Sequence, residues 1–266
     1  MPLTPFQKEA MSVLAAERHE ASHMAGGLVL NASDDSARYS RDFDIFHDSV
    51  EDLVAASERD VRALENAGFD VRKLERDGEW SKPVSFRKAR VSRGSDRVDV
   101  DWSHDSAFRF FPIVQDHNLG WRLHLFDMAT NKALALASRI ETRDYVDIVE
   151  LSRIYPLEAI IWAACVKDPG FSPLSLFQMV MRFARIDPVD LDKIKARHLD
   201  PVTLKQEWIA ASDQAREEMT ALADEEPDTP IGVAFVDAKG EPGWIRRDPA
   251  RRVHHPSLRG CWPVVH

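Results

Sequence analysis

The spacing of apolar residues near the start of the chain predicts a strand with one helix before it and one helix after it. Thr4 is a suitable N-cap for a helix over residues 5–18, because its hydroxyl can accept a bond from the first turn. Residues 49–67 repeat apolar side chains at helical spacing, and Gly68 is expected to end that helix. Between the helices, residues 42–46 alternate polar and apolar side chains, which is typical of a strand with one buried face.

After the second helix the apolar period shortens to two, as far as about residue 125. Alternating segments at residues 84–86, 98–102 and 108–114 predict three further strands. The tripeptide Gly94-Ser95-Asp96 predicts a hairpin turn between two of them. This part of the chain is therefore expected to form a sheet.

Helical spacing returns at residue 126 and then dominates. Five helices are predicted, over residues 128–138, 144–154, 157–166, 174–184 and 201–224. Prolines interrupt regular structure after that, although residues 231–236 form a short candidate strand that turns at Lys239-Gly240. The predicted organisation is an α/β domain at 1–125, a helical domain at 126–225 and an irregular C-terminal extension at 226–266.

Composition narrows the class of protein. The 266 residues carry a formal net charge of −9 at pH 7, which argues against a nonspecific nucleic-acid coat, whose surface is basic. The two cysteines, Cys165 and Cys261, are far apart and belong to no Cys-x-x-Cys pair, so no disulfide framework is expected. We see no signal peptide and no apolar run that could cross a bilayer, and we expect a cytoplasmic protein without a membrane partner.

Basic residues are nevertheless concentrated in two places. The clusters are Arg87, Lys88, Arg90, Arg93 and Arg97, and, near the end, Arg246, Arg247, Arg251, Arg252 and Arg259. Each cluster could hold phosphates, or could equally be a solvated strand face or tail. His254-His255 lacks the ligand spacing of a zinc site, so solvation is expected there too.

The clearest chemical pattern is a glycine pair followed by two aspartates. Gly26-Gly27 leads into a short predicted helix, and glycine allows backbone to approach a phosphate closely. Asp42 and Asp44 lie two positions apart on the next strand, so they point to the same face. Neighbouring carboxylates repel unless a positive charge lies between them, and Mg²⁺ prefers such oxygen ligands. The pattern indicates metal-assisted chemistry on a nucleotide.

A third acid is expected from a neighbouring strand, because two-metal phosphoryl transfer needs carboxylates that bridge both ions. Asp99 and Asp101 lie on one face of the predicted strand 98–102. The residues alone leave open which of the two would serve.

Lys132 is a charged residue within an otherwise apolar predicted helix. It shares a helix face with Arg139, seven positions later. Its ammonium could neutralise a triphosphate, or it could form an ordinary salt bridge with Asp127 or Asp144. Both interpretations remain open at this point.

The order of these motifs resembles the AbiEii/AbiGii-type nucleotidyltransferases over about residues 20–155. The resemblance is carried by Gly-Gly, Ser-Arg-Asp-Phe-Asp-Ile-Phe, a strand acid, Asp-Met-Ala-Thr-Asn-Lys-Ala-Leu-Ala-Leu and Arg-Asp-Tyr-Val-Asp-Ile. This family belongs to the DNA polymerase β-like nucleotidyltransferase superfamily and includes toxins of bacterial toxin–antitoxin and phage-defence systems. The resemblance implies an α+β fold, in which a nucleotidyltransferase-like mixed sheet with helices is followed by a helical domain.

The resemblance also assigns expected roles in the first part of the chain. Gly26 and Gly27 would hold the nucleotide triphosphate, and Ser40 would support it. Asp42 and Asp44 would be metal ligands.

Further roles follow from the same resemblance. Asp101 is similar to the third acid, because its place before Trp102 matches the family strand better than that of Asp99. Lys132 resembles the lysine that contacts the nucleotide, Asp144 resembles the acid paired with that lysine, and Asp147 would be a structural partner. Leu28 departs from the family, which usually has Thr or Ser after the glycines, and one hydroxyl contact to phosphate is therefore in doubt.

The activity implied is that of a Mg²⁺-dependent enzyme with two ions, which moves a nucleoside monophosphate from an NTP to an acceptor hydroxyl. The acceptor would be an RNA 3′ end, such as that of tRNA, or a protein, and an antitoxin protein is a further expected partner. One alternative is a catalytically silent protein of this fold that binds a nucleotide or a partner protein, which Leu28 favours. Another takes Asp-x-Asp as a glycosyltransferase motif, but it explains neither the glycine pair nor Lys132.

Overall fold

A computed structural model describes most of the chain and divides it into two compact units. The described residues are 3–32, 36, 38–40, 42–74, 80, 82, 84–139, 141–183, 187–194, 196, 199–244, 246 and 248–264. The first unit comprises Met1–Ala107 and Ile113–His124, and the second comprises Phe108–Pro112 and Leu125–His266.

A seven-stranded mixed sheet forms the centre of the first unit. Its strands are β1 (Ser22–Ala25), β2 (Asp42–His47), β3 (Asp70–Lys73), β4 (Phe86–Arg93), β5 (Asp96–His104), β7 (Val114–Asp116) and β8 (Gly120–Arg122). The strand order is β3-β4-β5-β2-β1-β8-β7. β2 runs parallel to β5, and β1 runs parallel to β8, while the other neighbours are antiparallel.

The helices of the first unit begin at the caps that the sequence provides. They are α1 (Pro5–Ala16), α2 (Gly26–Asn31) and α3 (Val50–Asn66). Thr4 and Gln7 form a reciprocal capping box at the start of α1, and the hydroxyl of Ser49 accepts a bond from Asp52 N at the start of α3. Both predicted helices are therefore confirmed.

Alternation along the central strands separates an apolar face from a polar face. Phe43 and Ile45 on β2, and Val98, Val100 and Trp102 on β5, are buried on the apolar face. α3 packs on this face, and its Asp60 accepts a 2.7 Å hydrogen bond from the indole of Trp102. The even-numbered positions of β2 are consequently left on the opposite, polar face.

The second unit is mainly helical. Its helices are α4 (Leu125–Ser138), α5 (Thr142–Ser152), α6 (Leu157–Ala164), α7 (Pro173–Phe183), α8 (Pro188–Asp192) and α9 (Pro201–Glu225), with a 3₁₀ turn at Cys165–Lys167. α4 packs against α5, α6 and α7, and α9 packs against α5 and α6. In the described part of the chain, no helix is both long enough and apolar enough to cross a membrane.

Five short strands complete the second unit. They are β6 (Phe108–Arg109), β9 (Ala234–Val236), β10 (Pro242–Gly243), β11 (Arg252–His254) and β12 (Ser257–Leu258). They form a three-stranded sheet of order β10-β9-β11 and a separate β12-β6 pair. The residues for which an irregular extension was predicted thus include regular strands.

The α+β prediction is confirmed, but two strand predictions need correction. The strand predicted over residues 108–114 is divided, because Phe110 N and Phe111 N donate to the carboxylate of Asp127 instead of to a neighbouring strand. The strand predicted over residues 84–86 begins only at Phe86, as the first residue of β4. The short α8 was not predicted.

Candidate active site

Four carboxylates lie side by side on the polar face of the sheet in the first unit. In the parallel register of β2 and β5, Asp42 is opposite Asp99, and Asp44 is opposite Asp101. All four side chains are partly buried. The predicted common face of Asp42 and Asp44 is confirmed, and the register adds Asp101 directly beside Asp44.

This carboxylate patch, defined as Asp42, Asp44, Asp99 and Asp101, favours positive charge. Burial raises the pKa of Asp101, Lys88 acts in the opposite direction, and repulsion from Asp42 and Asp99 adds to the increase. A group whose ionised form is disfavoured in this way gains from any additional cation nearby.

Asp99 and Asp101 differ in their partners on β4. Arg90 holds Asp99 with two hydrogen bonds, from Nε at 2.7 Å and from an Nη at 3.0 Å. This bond to Arg90 holds the pKa of Asp99 below its ordinary value, against the effect of partial burial. Asp99 is thus engaged by a guanidinium through two hydrogen bonds, whereas the partner of Asp101 on β4 is a lysine.

Lys88 occupies the position beside Asp101. Its Nζ lies 2.9 Å from Oδ1 and 3.3 Å from Oδ2 of Asp101, and 3.6 Å from Oδ2 of Asp99. Although partial burial acts in the opposite direction, these carboxylates raise the pKa of Lys88. Within the described ranges, no three His, Cys, Asp or Glu side chains converge closely enough to hold a metal ion. The donor set of Asp42, Asp44 and Asp101 is nevertheless the all-oxygen set that a hard divalent cation prefers.

The first glycine of the pair is fitted to Asp44. Gly26 has φ +62°, a conformation that disfavours side chains, and a Cβ at this position would lie 1.9 Å from Oδ2 of Asp44. Glycine is therefore required here for two independent reasons, and the turn holds the carboxylate of Asp44 directly against the backbone.

The second glycine is fitted to an arginine that the sequence reasoning did not select. A Cβ on Gly27 would lie 2.6 Å from an Nη of Arg38. Arg38 is buried and donates a 3.2 Å hydrogen bond to the carbonyl of Tyr39. Its only signal in the sequence is its position between the glycine pair and Asp42, a position that it shares with Arg41.

Ser40 and Leu28 have clear local roles. Ser40 is buried, and its Oγ donates a 3.0 Å hydrogen bond to the carbonyl of Asp42. This bond fixes the start of β2. Leu28 is fully buried, so its side chain packs in the core.

The remaining predicted residues form an ionic cluster inside the second unit. The Nζ of Lys132 on α4 lies 2.9 Å from Oδ1 of Asp144 and 2.8 Å from Oδ2 of Asp147, both on α5. Nε of Arg139 lies 2.7 Å from the other oxygen of Asp144. Of the two acids considered as salt-bridge partners of Lys132, Asp144 is the one that pairs with it, and Asp127 instead pairs with Lys167 at 2.9 Å.

Charge neutralisation dominates this cluster, which comprises Lys132, Arg139, Asp144 and Asp147. Burial alone would raise the pKa of Asp144, but Arg139 and Lys132 together hold it below its ordinary value. Burial would likewise lower the pKa of Lys132, but Asp147 and Asp144 raise it. The ion pairs thus favour the charged forms of Lys132 and Asp144.

Several members of the two basic clusters have structural partners. Arg87 is buried, where it donates to Ser57 Oγ at 2.9 Å and to the carbonyl of Trp80 at 2.8 Å. Arg246 pairs with Glu218 and Glu225. His254 was expected to be solvated, but it is buried and its Nε2 lies 2.8 Å from the carbonyl oxygen of Phe110.

Comparison with solved structures identifies the class of fold. The chain is similar to a candidate nucleotidyltransferase from H. pylori, with a TM-score of 0.51 and 15% identity over 83% of this chain and 99% of that chain. It also matches JHP933 from Helicobacter pylori, with a TM-score of 0.49 and 14% identity over 81% of this chain and 91% of that one. MenT4, a nucleotidyltransferase toxin from Mycobacterium tuberculosis H37Rv, matches with a TM-score of 0.40 and 12% identity over 70% of this chain and 84% of that one.

The first of these matches shows that the protein has a nucleotidyltransferase-like fold. No protein-family model and no curated protein matches the sequence. The narrower resemblance to the AbiEii/AbiGii type therefore stays a prediction.

Proposed function

We propose that this protein is a nucleotidyltransferase that moves a nucleoside monophosphate from an NTP to an acceptor hydroxyl. The observation that carries the proposal is the carboxylate patch: Asp42 and Asp44 share a face of β2, and Asp101 lies opposite Asp44 on β5. A glycine whose backbone is fitted to Asp44 supports it further. This arrangement lies within a fold similar to that of a candidate nucleotidyltransferase.

In this proposal, Asp42, Asp44 and Asp101 hold Mg²⁺, with two ions as the resemblance implies. When bound, Mg²⁺ would neutralise the triphosphate and favour the ionised acceptor hydroxyl. The part played by the protein is positioning: Gly26 holds Asp44, and Ser40 fixes the chain at Asp42. Reactions of this type need little covalent help from side chains, because orientation and charge stabilisation supply most of the rate.

The basic residues have proposed roles at the nucleotide. The sequence resemblance assigns Lys132 to the nucleotide, and its ammonium contacts Asp144 and Asp147. Gly26 and Gly27 are assigned to the triphosphate. Arg38 is added to these assignments, because its guanidinium lies against Gly27.

The acceptor is proposed to be an RNA 3′ end, such as that of tRNA, or a protein hydroxyl. A role as the toxin of a toxin–antitoxin or phage-defence system, with an antitoxin as partner, follows from the sequence resemblance alone. Labelling with each acceptor in turn separates these possibilities.

The test is transfer of label from each α-³²P-NTP in the presence of Mg²⁺, with tRNA, with a protein mixture and with neither. We expect labelled product and released pyrophosphate from the wild type. The Asp42→Asn/Asp44→Asn variant should lose activity by at least about 10²-fold, because ligands of the reacting centre are removed. Asp70→Asn, at an exposed position on β3, is the matched control and should remain active. Absence of product with every nucleotide and acceptor would overturn the proposal.

A second candidate function is a catalytically silent nucleotide-binding or partner-binding protein of the same fold. The engagement of Asp101 by Lys88 favours it, since a carboxylate already paired is not free for a metal ion. Thermal-shift titration with NTP and Mg²⁺ separates the two functions. A silent binder would be stabilised by the nucleotide but would release no pyrophosphate.

A further inference from the structure

One row of side chains crosses three strands on the polar face of the first unit. Lys88 on β4 is the cross-strand partner of Asp101 on β5, which is in turn the partner of Asp44 on β2. The three residues therefore lie in line on one face. Lys88 is the member of this row that carries positive charge, and its Nζ is 2.9 Å from Asp101.

A second row, two positions along, gives a direct comparison. Arg90 is the cross-strand partner of Asp99, which is the partner of Asp42. Arg90 grips Asp99 with two hydrogen bonds in a planar fork, whereas Lys88 offers a point charge on a flexible stem. The first arrangement suits a permanent bond, and the second suits a group that can leave its partner.

The charges of the carboxylate patch explain why the ammonium of Lys88 would leave Asp101 when a metal ion binds. Four carboxylates in a two-by-two arrangement repel one another, and the ammonium of Lys88 reduces that repulsion at Asp101 and Asp99. A divalent ion at Asp101 would do the same, but two cations at one carboxylate repel each other. The ammonium and the ion are therefore alternatives at this oxygen pair.

We propose that Lys88 is a positioning residue that acts as an internal counter-ion for Asp101 and competes with the divalent ion for that carboxylate. The proposal rests on the proposed function, because it takes Asp42, Asp44 and Asp101 as the metal-binding set. Without metal, Lys88 reduces the repulsion at Asp101 and Asp99, and it leaves Asp101 when the ion binds. The consequence is a weakened affinity for the free ion.

The test is calorimetric titration with Mn²⁺ alone, without nucleotide or acceptor. Lys88→Met should bind Mn²⁺ about tenfold more tightly than the wild type, since a unit charge near the ion is removed from a partly screened site. Arg90→Met is the matched control, because it removes the same charge from the same face of the same strand. It should change the affinity less than about twofold, since Arg90 contacts Asp99 and not Asp101.

Two further variants assign the binding to this site. Lys88→Arg keeps the charge and should not tighten binding, and Asp42→Asn/Asp44→Asn should remove the Mn²⁺ signal. Unchanged or weaker binding by Lys88→Met, or equal tightening by Arg90→Met, would overturn the proposal. Circular dichroism checks the fold, and Lys88→Gln replaces Lys88→Met if the latter is unfolded; unfolding of both would instead show a structural role and also overturn it.

The outcome is separable from that of the proposed function. Mn²⁺ affinity is measured without turnover, whereas the proposed function is judged by labelled product. A protein that binds Mn²⁺ more tightly as Lys88→Met but transfers no nucleotide would support the counter-ion and contradict the enzyme. An active protein with unchanged Mn²⁺ affinity in Lys88→Met would do the reverse.

Discussion

The two units of this protein treat buried carboxylates in opposite ways. In the first unit, burial raises the pKa of Asp101 in spite of Lys88, and repulsion from Asp42 and Asp99 adds to the increase. In the second unit, Asp144 is more deeply buried, yet Arg139 and Lys132 hold its pKa below the ordinary value. The balance between burial and neighbouring charges sets the direction of each shift, so depth of burial alone does not identify a metal-binding acid.

The ionic cluster and the carboxylate patch should therefore respond differently when a charged side chain is removed. The ionic cluster of the second unit is complete, so removing a charge should chiefly reduce stability. In the first unit the ionised form of Asp101 is disfavoured although Lys88 contacts it, so the same kind of change there should chiefly alter binding and activity.

The largest effect on stability is expected from Lys132→Met. Its ammonium contacts Asp144 and Asp147, which are both almost inaccessible to solvent. Removing one partner of a buried ion pair leaves uncompensated charge, and we expect a loss of about 3 kcal/mol in the free energy of unfolding, measured by urea denaturation.

A double variant controls for lost packing at Lys132. Lys132→Met combined with Asp144→Asn should recover part of the loss, because it removes one of the carboxylates that the ammonium neutralised. If the losses in unfolding free energy of the two single variants simply add in the double variant, Lys132 and Asp144 are not coupled. The description of the cluster as ion pairs that neutralise one another would then be wrong.

Gly26→Ala, in the first unit, should cause the next largest loss of stability. The methyl group would overlap Asp44 and the backbone would keep a strained positive φ, so a loss of about 2 kcal/mol is expected together with loss of nucleotidyl transfer. Gly94→Ala is the matched control, because Gly94 has φ +61° in the β4–β5 turn and nothing within 4 Å of a Cβ. If both variants behave alike in activity, the fit of Gly26 to Asp44 has no functional importance.

The pH dependence of stability should also differ between the units. The folded state depresses the pKa of Asp144, so its contribution is present above the unfolded-state pKa and is lost as the pH falls through the folded-state value. The pKa of Asp101 is raised, so its contribution is present at low pH and is lost as the pH rises through the folded-state value. The measurement is urea denaturation between pH 3 and pH 7, in steps of about one pH unit. The loss of unfolding free energy on acidification should be smaller in Asp144→Asn than in the wild type, and larger in Asp101→Asn. Opposite or equal changes would contradict the assigned pKa directions.

Local patterns in the sequence predict much of the carboxylate patch but not its cations. Alternation along β2 places Asp42 and Asp44 on one face, and the glycine pair marks the turn before them. The hairpin at Gly94 makes β4 the neighbour of β5. The contact between Lys88 and Asp101 then follows from the register of these two strands. Register, however, depends on packing across the whole sheet and is not read from one strand.

Long-range pairings explain most of what could not be predicted. β6, in the middle of the chain, pairs with β12, which lies near the C-terminus. Asp127 accepts hydrogen bonds from the backbone of Phe110 and Phe111, which therefore do not extend β6. Arg38 was missed because neither its charge nor its spacing distinguishes it from Arg41. Such contacts depend on tertiary structure, whereas caps such as Thr4 and Ser49 depend on a few neighbouring residues.

Glu158 extends the comparison to a carboxylate without a cation, and Glu158→Gln should give the smallest effect. Oε1 of Glu158 accepts a 2.9 Å bond from Gln214, while Oε2 has no hydrogen-bond partner among the described residues. Burial raises its pKa, so the folded state favours the uncharged form. The substituted amide is neutral at every pH, and we therefore expect a gain of about 1 kcal/mol near pH 7 that disappears in acid. Glu217→Gln, at an exposed position on α9, should change nothing measurable by urea denaturation. A loss of stability in Glu158→Gln would show that this carboxylate is charged and has a partner, which would contradict the assigned direction of its pKa.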